Sequence, residues 1–286
     1  MLKKFKPTTH STRHKIRVVH NTISKVAPEK SLLKKLKYQA SRNNEGHITV
    51  RGRGGREKRD YRVIDFVREF KNIEGTVKTI EYDPNRTSYI ALVFYPNGAK
   101  RYVLATSEMK VGDVIMAGEK VELKNGNALP LSAIPAGQEV HNIMMSPSTD
   151  NGMVRSAGSS ATVMGANGEY VQVKLPSGEI RLILGVCYAT IGKLSNTDNM
   201  NQTFGKTGTL RHMGFRPIVR GVAQHPRSHP HGGGQGKAGR HGTGGPAVDP
   251  WGNKRFKKTR NNKRTQKLII LSRTGVKSKK TKSISK

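Results

Sequence analysis

The feature that most limits how this chain folds is the division of its charge. Residues 1–63 carry 18 Lys and Arg against 4 Asp and Glu, and residues 64–109 carry 6 of each. Residues 110–180 carry 5 against 7, and residues 181–286 carry 23 against 2. The net charges run +14, 0, −2 and +21 along a chain of formal charge +33. The middle is free to collapse on itself, whereas each flank repels itself unless a polyanion neutralises it. With 34% hydrophobic and 6% aromatic residues, the flanks also lack the apolar surface to bury themselves.

Nucleic acid is the natural polyanion. A membrane surface is the other common one, but the sequence has no run of 18 apolar residues and its basic tails lack an apolar amphipathic face. The start, Met1-Leu2-Lys3-Lys4-Phe5-Lys6, lacks the apolar stretch of a secretory signal. Its Ser, Thr and Arg, with no acid before Glu29, also suit a mitochondrial transit peptide. One cysteine permits no internal disulfide, which suits a reducing compartment. Cys187 lies in the apolar run Leu182 to Ile191 and reads as a small buried hydrophobe.

From Gly75 the sequence reads as short strands between strong turn signals, the pattern of small β-barrels. Thr76–Ile80 and Tyr89–Phe94 flank Asp83-Pro84-Asn85-Arg86, a hairpin in which proline presets φ and Asp and Asn bond the local backbone. Pro96-Asn97-Gly98 turns into Arg101–Leu104, and Val111–Met116 and Val121–Leu123 complete a first unit. A second unit is predicted from Val140–Met144, Ala161–Met164, Tyr170–Leu175, Ile180–Leu184 and Val186–Ile191, with turns at Asn167-Gly168 and Pro176-Ser177-Gly178. The domain expectation is a basic extension over 1–59, barrels over 60–125 and 126–201, and a Gly, His and Lys/Arg-rich extension over 202–286. Short helices are allowed at Ser195–Asn201 and within Asn261–Ile270. Otherwise the extensions are expected to order on RNA.

Arg51-Gly52-Arg53-Gly54-Gly55-Arg56 mixes guanidinium forks with a backbone that lies close to phosphates. A nucleotide-binding glycine loop would need a strand before it and a helix after it, and neither is predicted there. The Gly-Lys pairs at Gly205-Lys206 and Gly236-Lys237 fail as phosphate loops, because Met200 and His231 stand where the earlier glycine belongs. His225, His229, His231 and His241 have no cysteine nearby, and Pro226 and Pro230 prevent a helix that would pair His225 with His229 on a metal. Ser228 directly precedes His229 and no acid lies between Asp198 and Asp249 in sequence, a poor basis for a catalytic triad. His229-Pro230-His231-Gly232-Gly233-Gly234 makes better sense as a finger that approaches RNA closely and hydrogen-bonds or stacks through imidazole. Arg86 at the hairpin tip and Arg155 beside Ser156-Ala157-Gly158 are the RNA-contact candidates of the folded units. Lys254, Arg255, Lys257, Lys258, Arg260, Lys263 and Arg264 form a run that must find counterions, and RNA supplies them.

The stretches Lys3–Thr9, Ser41–Gly46, Tyr82–Arg86, Val154–Gly158, Leu175–Glu179, Arg216–Gly221, His229–Gly234, Trp251-Gly252 and Lys258–Arg260 together resemble, in order and spacing, the large-subunit ribosomal protein L2 family of bacterial type. The resemblance spans nearly the whole chain. It implies an oligonucleotide-binding-type barrel followed by an SH3-like barrel, with basic tails threading large-subunit rRNA. It also implies rRNA contacts at Arg216 and Arg220, and a place for His229 near the peptidyl-transferase centre. Its further implications are contacts with other large-subunit proteins, a bridge to the small subunit, a cytoplasmic or plastid ribosome, and Mg²⁺ that accompanies the rRNA without protein ligands. The family usually has Asn where this chain has His225 and an acid where it has Ser228, so His229 is expected to shape RNA and not to act as a base. The reading is therefore a structural rRNA-binding protein and not an enzyme. A chromatin-like packaging protein would need repetitive tails, and an RNA-modifying enzyme would need an acid–base pair that the middle does not offer.

Overall fold

The computed structural model describes residues 2–38, 40–147, 150–235, 245–257 and 262–276. These form β1 (Leu2–Lys4), β2 (Ile16–Val18), β3 (Leu33–Lys35), β4 (Asp60–Arg62), β5 (Gly75–Glu81), β6 (Ile90–Phe94), β7 (Lys100–Leu104) and β8 (Val114–Ile115). There follow β9 (Ala128–Pro130), β10 (Glu139–His141), β11 (Ile143–Met144), β12 (Gly152–Met153), β13 (Ala161–Asn167), β14 (Tyr170–Lys174), β15 (Ile180–Leu184), β16 (Tyr188–Ile191) and β17 (Ile269–Leu271). Two short helices are α1 (Thr207–His212) and α2 (Lys263–Gln266). The chain divides into two compact units, one of Met1–Lys37, Lys58–Lys206 and Lys263–Lys286, the other of Tyr38–Glu57 and Thr207–Asn262. The chain is mainly β, and no helix among the described residues is long and apolar enough to cross a membrane.

In the first unit, one antiparallel sheet runs β7-β6-β5-β8. Both of its faces are covered: Val77, Ala91, Val93 and Val103 pack on one side, and Ile90, Leu92, Tyr102 and Leu104 on the other. That is why β6 reads Ile-Ala-Leu-Val-Phe without polar alternation. A bulge between Val77 and Thr79 adds the coil that a small barrel needs. Beyond β7 the edge is covered by a parallel bridge from Ile64 to Tyr102. The Tyr102 hydroxyl donates to Glu81 Oε2 at 2.8 Å and accepts the Glu29 N–H at 2.9 Å, so a buried carboxylate and a backbone donor are satisfied together.

The second sheet runs β17-β15-β14-β13-β10-β16-β9. Here alternation does appear, and Val171 and Val173 of β14 face a core with Val140, Val163, Ile183, Ala189 and Ile191. Cys187 belongs to this core, and burial pushes its thiol above the ordinary value. Leu194, just after β16, is buried with Ile64, Phe66 and Ile90 in the first barrel's outer core. Ser195 locks the junction, its N–H donating to Ala105 O at 3.1 Å and its Oγ accepting the Tyr89 N–H at 3.1 Å.

Several local expectations change. Val121–Leu123 is not a strand, because the Glu122 carbonyl accepts the Lys124 N–H and the Asn127 side chain in a tight turn; the strand is β9. Val111–Met116 shortens to β8, since Asp113 Oδ2 caps the Lys110 N–H. Val140–Met144 splits at Asn142, whose φ of 46° turns β11 away to pair with β12. The Ser195–Asn201 helix is a 3₁₀ turn at Thr197–Asn201, and the Asn261–Ile270 helix is confined to Lys263–Gln266. Ile269 is instead buried in β17, which pairs with β15. Near the start, β1 and β2 form a ribbon where only an extension was expected.

His141 is fully buried, its Nδ1–H donating to Gly192 O at 2.8 Å while Nε2 has no hydrogen-bond partner. Burial, with Arg68 adding to it, lowers the ring's pKa from 6.5 to about 4. The unfolded chain therefore takes up this proton first as pH falls. The contribution is complete above pH 6.5 and is lost progressively between pH 6.5 and 4, by about 3 kcal/mol in all. Urea unfolding of His141→Asn across this window is expected to show a shallower fall of stability with pH than the parent; identical pH profiles would refute the assignment.

Candidate RNA interface

In the second unit, residues 52–57 run antiparallel to residues 212–216, with Gly52 and Gly55 at left-handed φ. The Glu57 N–H donates to His212 O at 3.0 Å, Gly54 N–H to Gly214 O at 2.9 Å, and Arg216 N–H to Gly52 O at 2.9 Å. Arg51 and Arg53 are exposed and Arg56 is half-buried, and each lies over an aromatic ring. Arg53 is 4.1 Å from the Phe215 centroid, Arg56 4.4 Å from Tyr38 and Arg51 5.8 Å from Trp251. Stacking covers a guanidinium's face and leaves its N–H edges outward, where phosphates bind them. Gly52 is required twice over, by a φ of +72° and because a Cβ there would lie 2.8 Å from Ile218 Cγ1.

The chain from Arg220 to Gly234 folds into the finger. A 3₁₀ turn at Gly221–Ala223 packs against His229, and a Cβ on Gly221 would lie 2.5 Å from the ring. His229 Nδ1 accepts the His231 N–H at 3.0 Å, and His231 Nε2 accepts the Val248 N–H at 3.1 Å. Both rings are buried, 4.9 Å apart, and each uses a bare nitrogen to hold backbone in place. His225 Nδ1 accepts the Arg227 N–H at 3.2 Å, the turn-capping bond that an Asn oxygen also makes. No group of three or more His, Cys, Asp or Glu among the described residues is placed to hold a metal.

Residues 29–117 match the family model Ribosomal Proteins L2, RNA binding N-terminal domain, and residues 124–252 match Ribosomal Proteins L2, C-terminal domain. The chain belongs to the ribosomal protein L2 family. Its two barrels are thus the oligonucleotide-binding-type and SH3-like domains of L2, in that order. L2 is a structural, rRNA-binding protein of the large ribosomal subunit, and that is this chain's role. The RNA-binding match takes in Arg51, Arg53, Arg56 and Arg86; the C-terminal match takes in Arg155, Arg216, Arg220, His229 and His231.

These residues are divided between the two units. Arg86 and Arg155 lie in the first unit at 5.6 Å and 3.7 Å from the Phe66 ring centroid. Arg86 Nε donates to the buried Asp83 at 2.5 Å and Arg155 Nε to Asn142 Oδ1 at 2.8 Å. Both guanidiniums lie against Phe66, and the side chain of Arg86, expected at a hairpin tip, is only 14% exposed. Lys254, Arg255 and Lys257 are exposed after a turn built on Asp249. Burial alone would raise the Asp249 carboxyl, but hydrogen bonds from Asn253 and Trp251 together hold it below its ordinary value. Lys258 and Arg260, like the Lys263 side chain, lie outside the described residues; Arg264 is exposed on α2 of the first unit.

Sequence reasoning missed the aromatic platforms Tyr38, Phe215 and Trp251, whose only signal was their scatter among basic residues. It also missed a second basic surface, in the first unit, where Lys4, Phe5, Arg13 and His14 line a cleft of about 590 Å³ and Arg17 lies 4.9 Å over Phe204. Replacing Gly52 with Val in this L2 chain is expected to strain its φ and collide with Ile218, at a local cost of about 1–3 kcal/mol. Amide exchange at Gly54 and Arg216 then accelerates roughly tenfold or more; unchanged exchange there would contradict the packing described.

Proposed function

We propose that the chain holds large-subunit rRNA around the peptidyl-transferase centre and joins in association with the small subunit, in a ribosome of bacterial type. The observation that carries the RNA grip is the stretch 51–57, in which Arg51, Arg53 and Arg56 each lie against an aromatic ring in a segment rich in glycine. Phosphate neutralisation by such residues supplies affinity, and the barrels supply shape recognition. Arg216, Arg220, Lys254, Arg255, Lys257, Lys258, Arg260, Lys263 and Arg264 extend the basic surface in this reading, and Mg²⁺ accompanies the rRNA. Neighbouring large-subunit proteins complete its surroundings.

Replacing Arg51, Arg53 and Arg56 together by Gln is expected to reduce the slope of log affinity against log salt by about two, at roughly 0.7–0.9 per lost phosphate contact. The measurement is filter binding to a large-subunit rRNA fragment, with scrambled RNA and duplex DNA alongside. Equal affinity of the parent for all three ligands would favour a packaging protein.

In this reading His229 is a positioning residue. Its buried ring and its bond from the His231 N–H support a role in shaping the finger. Ribosomes carrying His229→Gln are expected to assemble in lower yield yet form peptide bonds normally once complete. Loss of peptide-bond formation in fully assembled particles with intact RNA would sink this role.

A further inference from the structure

The second unit contains a cleft of about 630 Å³ with two chemically different walls. Arg51, Arg220 and Arg255 bring positive charge to it, and Pro217, Ile218 and Val219 form an aliphatic wall. Ile218 is 77% and Val219 57% exposed, within the basic stretch Arg216–Arg220. Leaving two β-branched side chains in water forgoes burial that would stabilise the fold, so a ligand that covers them gains it. The volume lies in the range of roughly 300–1,000 Å³ that suits ligands of nucleotide size.

The walls are tied together before any ligand arrives. Arg51 donates to Gln224 Oε1 at 3.4 Å and to the Ser228 carbonyl at 3.2 Å, and Gln224 Nε2 donates to Val219 O at 3.0 Å. Because His225 Nδ1 accepts a backbone N–H, the neutral ring carries its proton on Nε2, a donor available to a base edge. A phosphate alone needs no aliphatic wall, and a duplex keeps its bases stacked where such a wall cannot reach them. A single unstacked nucleotide satisfies both walls.

We propose that this cleft receives one flipped-out nucleotide of the rRNA, its base against Pro217, Ile218 and Val219 and its phosphates on Arg51, Arg220 and Arg255. The inference rests on the rRNA-binding reading above and adds to it the ligand that one site takes. Trp251 is the sole tryptophan, and Arg51 lies 5.8 Å from its ring, so its fluorescence reports on the cleft.

The test uses the full chain and titrates Trp251 emission with a single-stranded RNA hexamer, the same hexamer made abasic, a duplex of equal length and a Glu-rich hexapeptide. The single strand is expected to change the emission and to bind about tenfold more tightly than the abasic backbone, since base stacking contributes beyond the phosphates. Ile218→Ala is expected to bring the hexamer down to the abasic level, and because Ile218 is largely exposed the variant should fold. Equal binding of base-bearing and abasic strands, with a large-subunit rRNA fragment still bound, would overturn the nucleotide pocket and leave the RNA reading standing. Failure of every RNA to bind would overturn both. A response to the peptide equal to that of the hexamer would assign the cleft to a protein partner and overturn the proposal.

Discussion

Like-charge repulsion sets the terms for the second unit, because it contains many arginines and few acids to pair with them. Among the described residues the contacts of its carboxylates with basic side chains are Glu45 with His47 and Glu57 with His212. Cohesion comes instead from backbone pairing and from guanidiniums laid on Tyr38, Phe215 and Trp251. Neither contact neutralises charge. The unit is thus held together while its positive field stays intact for an anionic partner, and anything that binds only this folded form stabilises it further.

The first unit follows the opposite rule. Its sheets bury apolar faces, and three of its buried or half-buried polar pairs are matched inside: Glu81 with Tyr102, Asp83 with Arg86, Asn142 with Arg155. The junction of its barrels is built around Phe66 and Leu194, which the intervening chain brings together with Ile90 and Tyr102. Removing one partner of such a buried pair leaves the other desolvated and unsatisfied, which costs more than the contact itself is worth.

How much of the site was legible depended on how local its causes were. The mixture of glycine and arginine from Arg51 to Arg56 identified a basic segment whose backbone can approach phosphates, because residue type is a local property. Around His229 the adjacent glycines and prolines signalled a turning, non-helical loop, but not that the His229 and His231 rings would be buried against backbone. That Arg86 and Arg155 share the Phe66 ring was not legible, because Phe66 is distant from both in sequence. The Arg-Pro-Ile-Val-Arg stretch gave a partial sign of the cleft, since two aliphatic residues stood among charges, but which wall faced them was not encoded nearby.

By itself the sequence determined that a near-neutral β core lies between two arms that need a polyanion, since charge and turn signals act over a few residues. The tertiary structure decided what the arms do. It laid residues 52–57 along residues 212–216 and made Gly52 necessary by placing Ile218 against it. It turned His229 into a buried support for backbone, and it sent Ile269–Leu271 back to pair with β15. The pairing of residues 52–57 with 212–216, the Gly52–Ile218 approach and the return of Ile269–Leu271 rest on contacts between residues tens to more than a hundred positions apart, which depend on the packing of the whole and not on any local pattern.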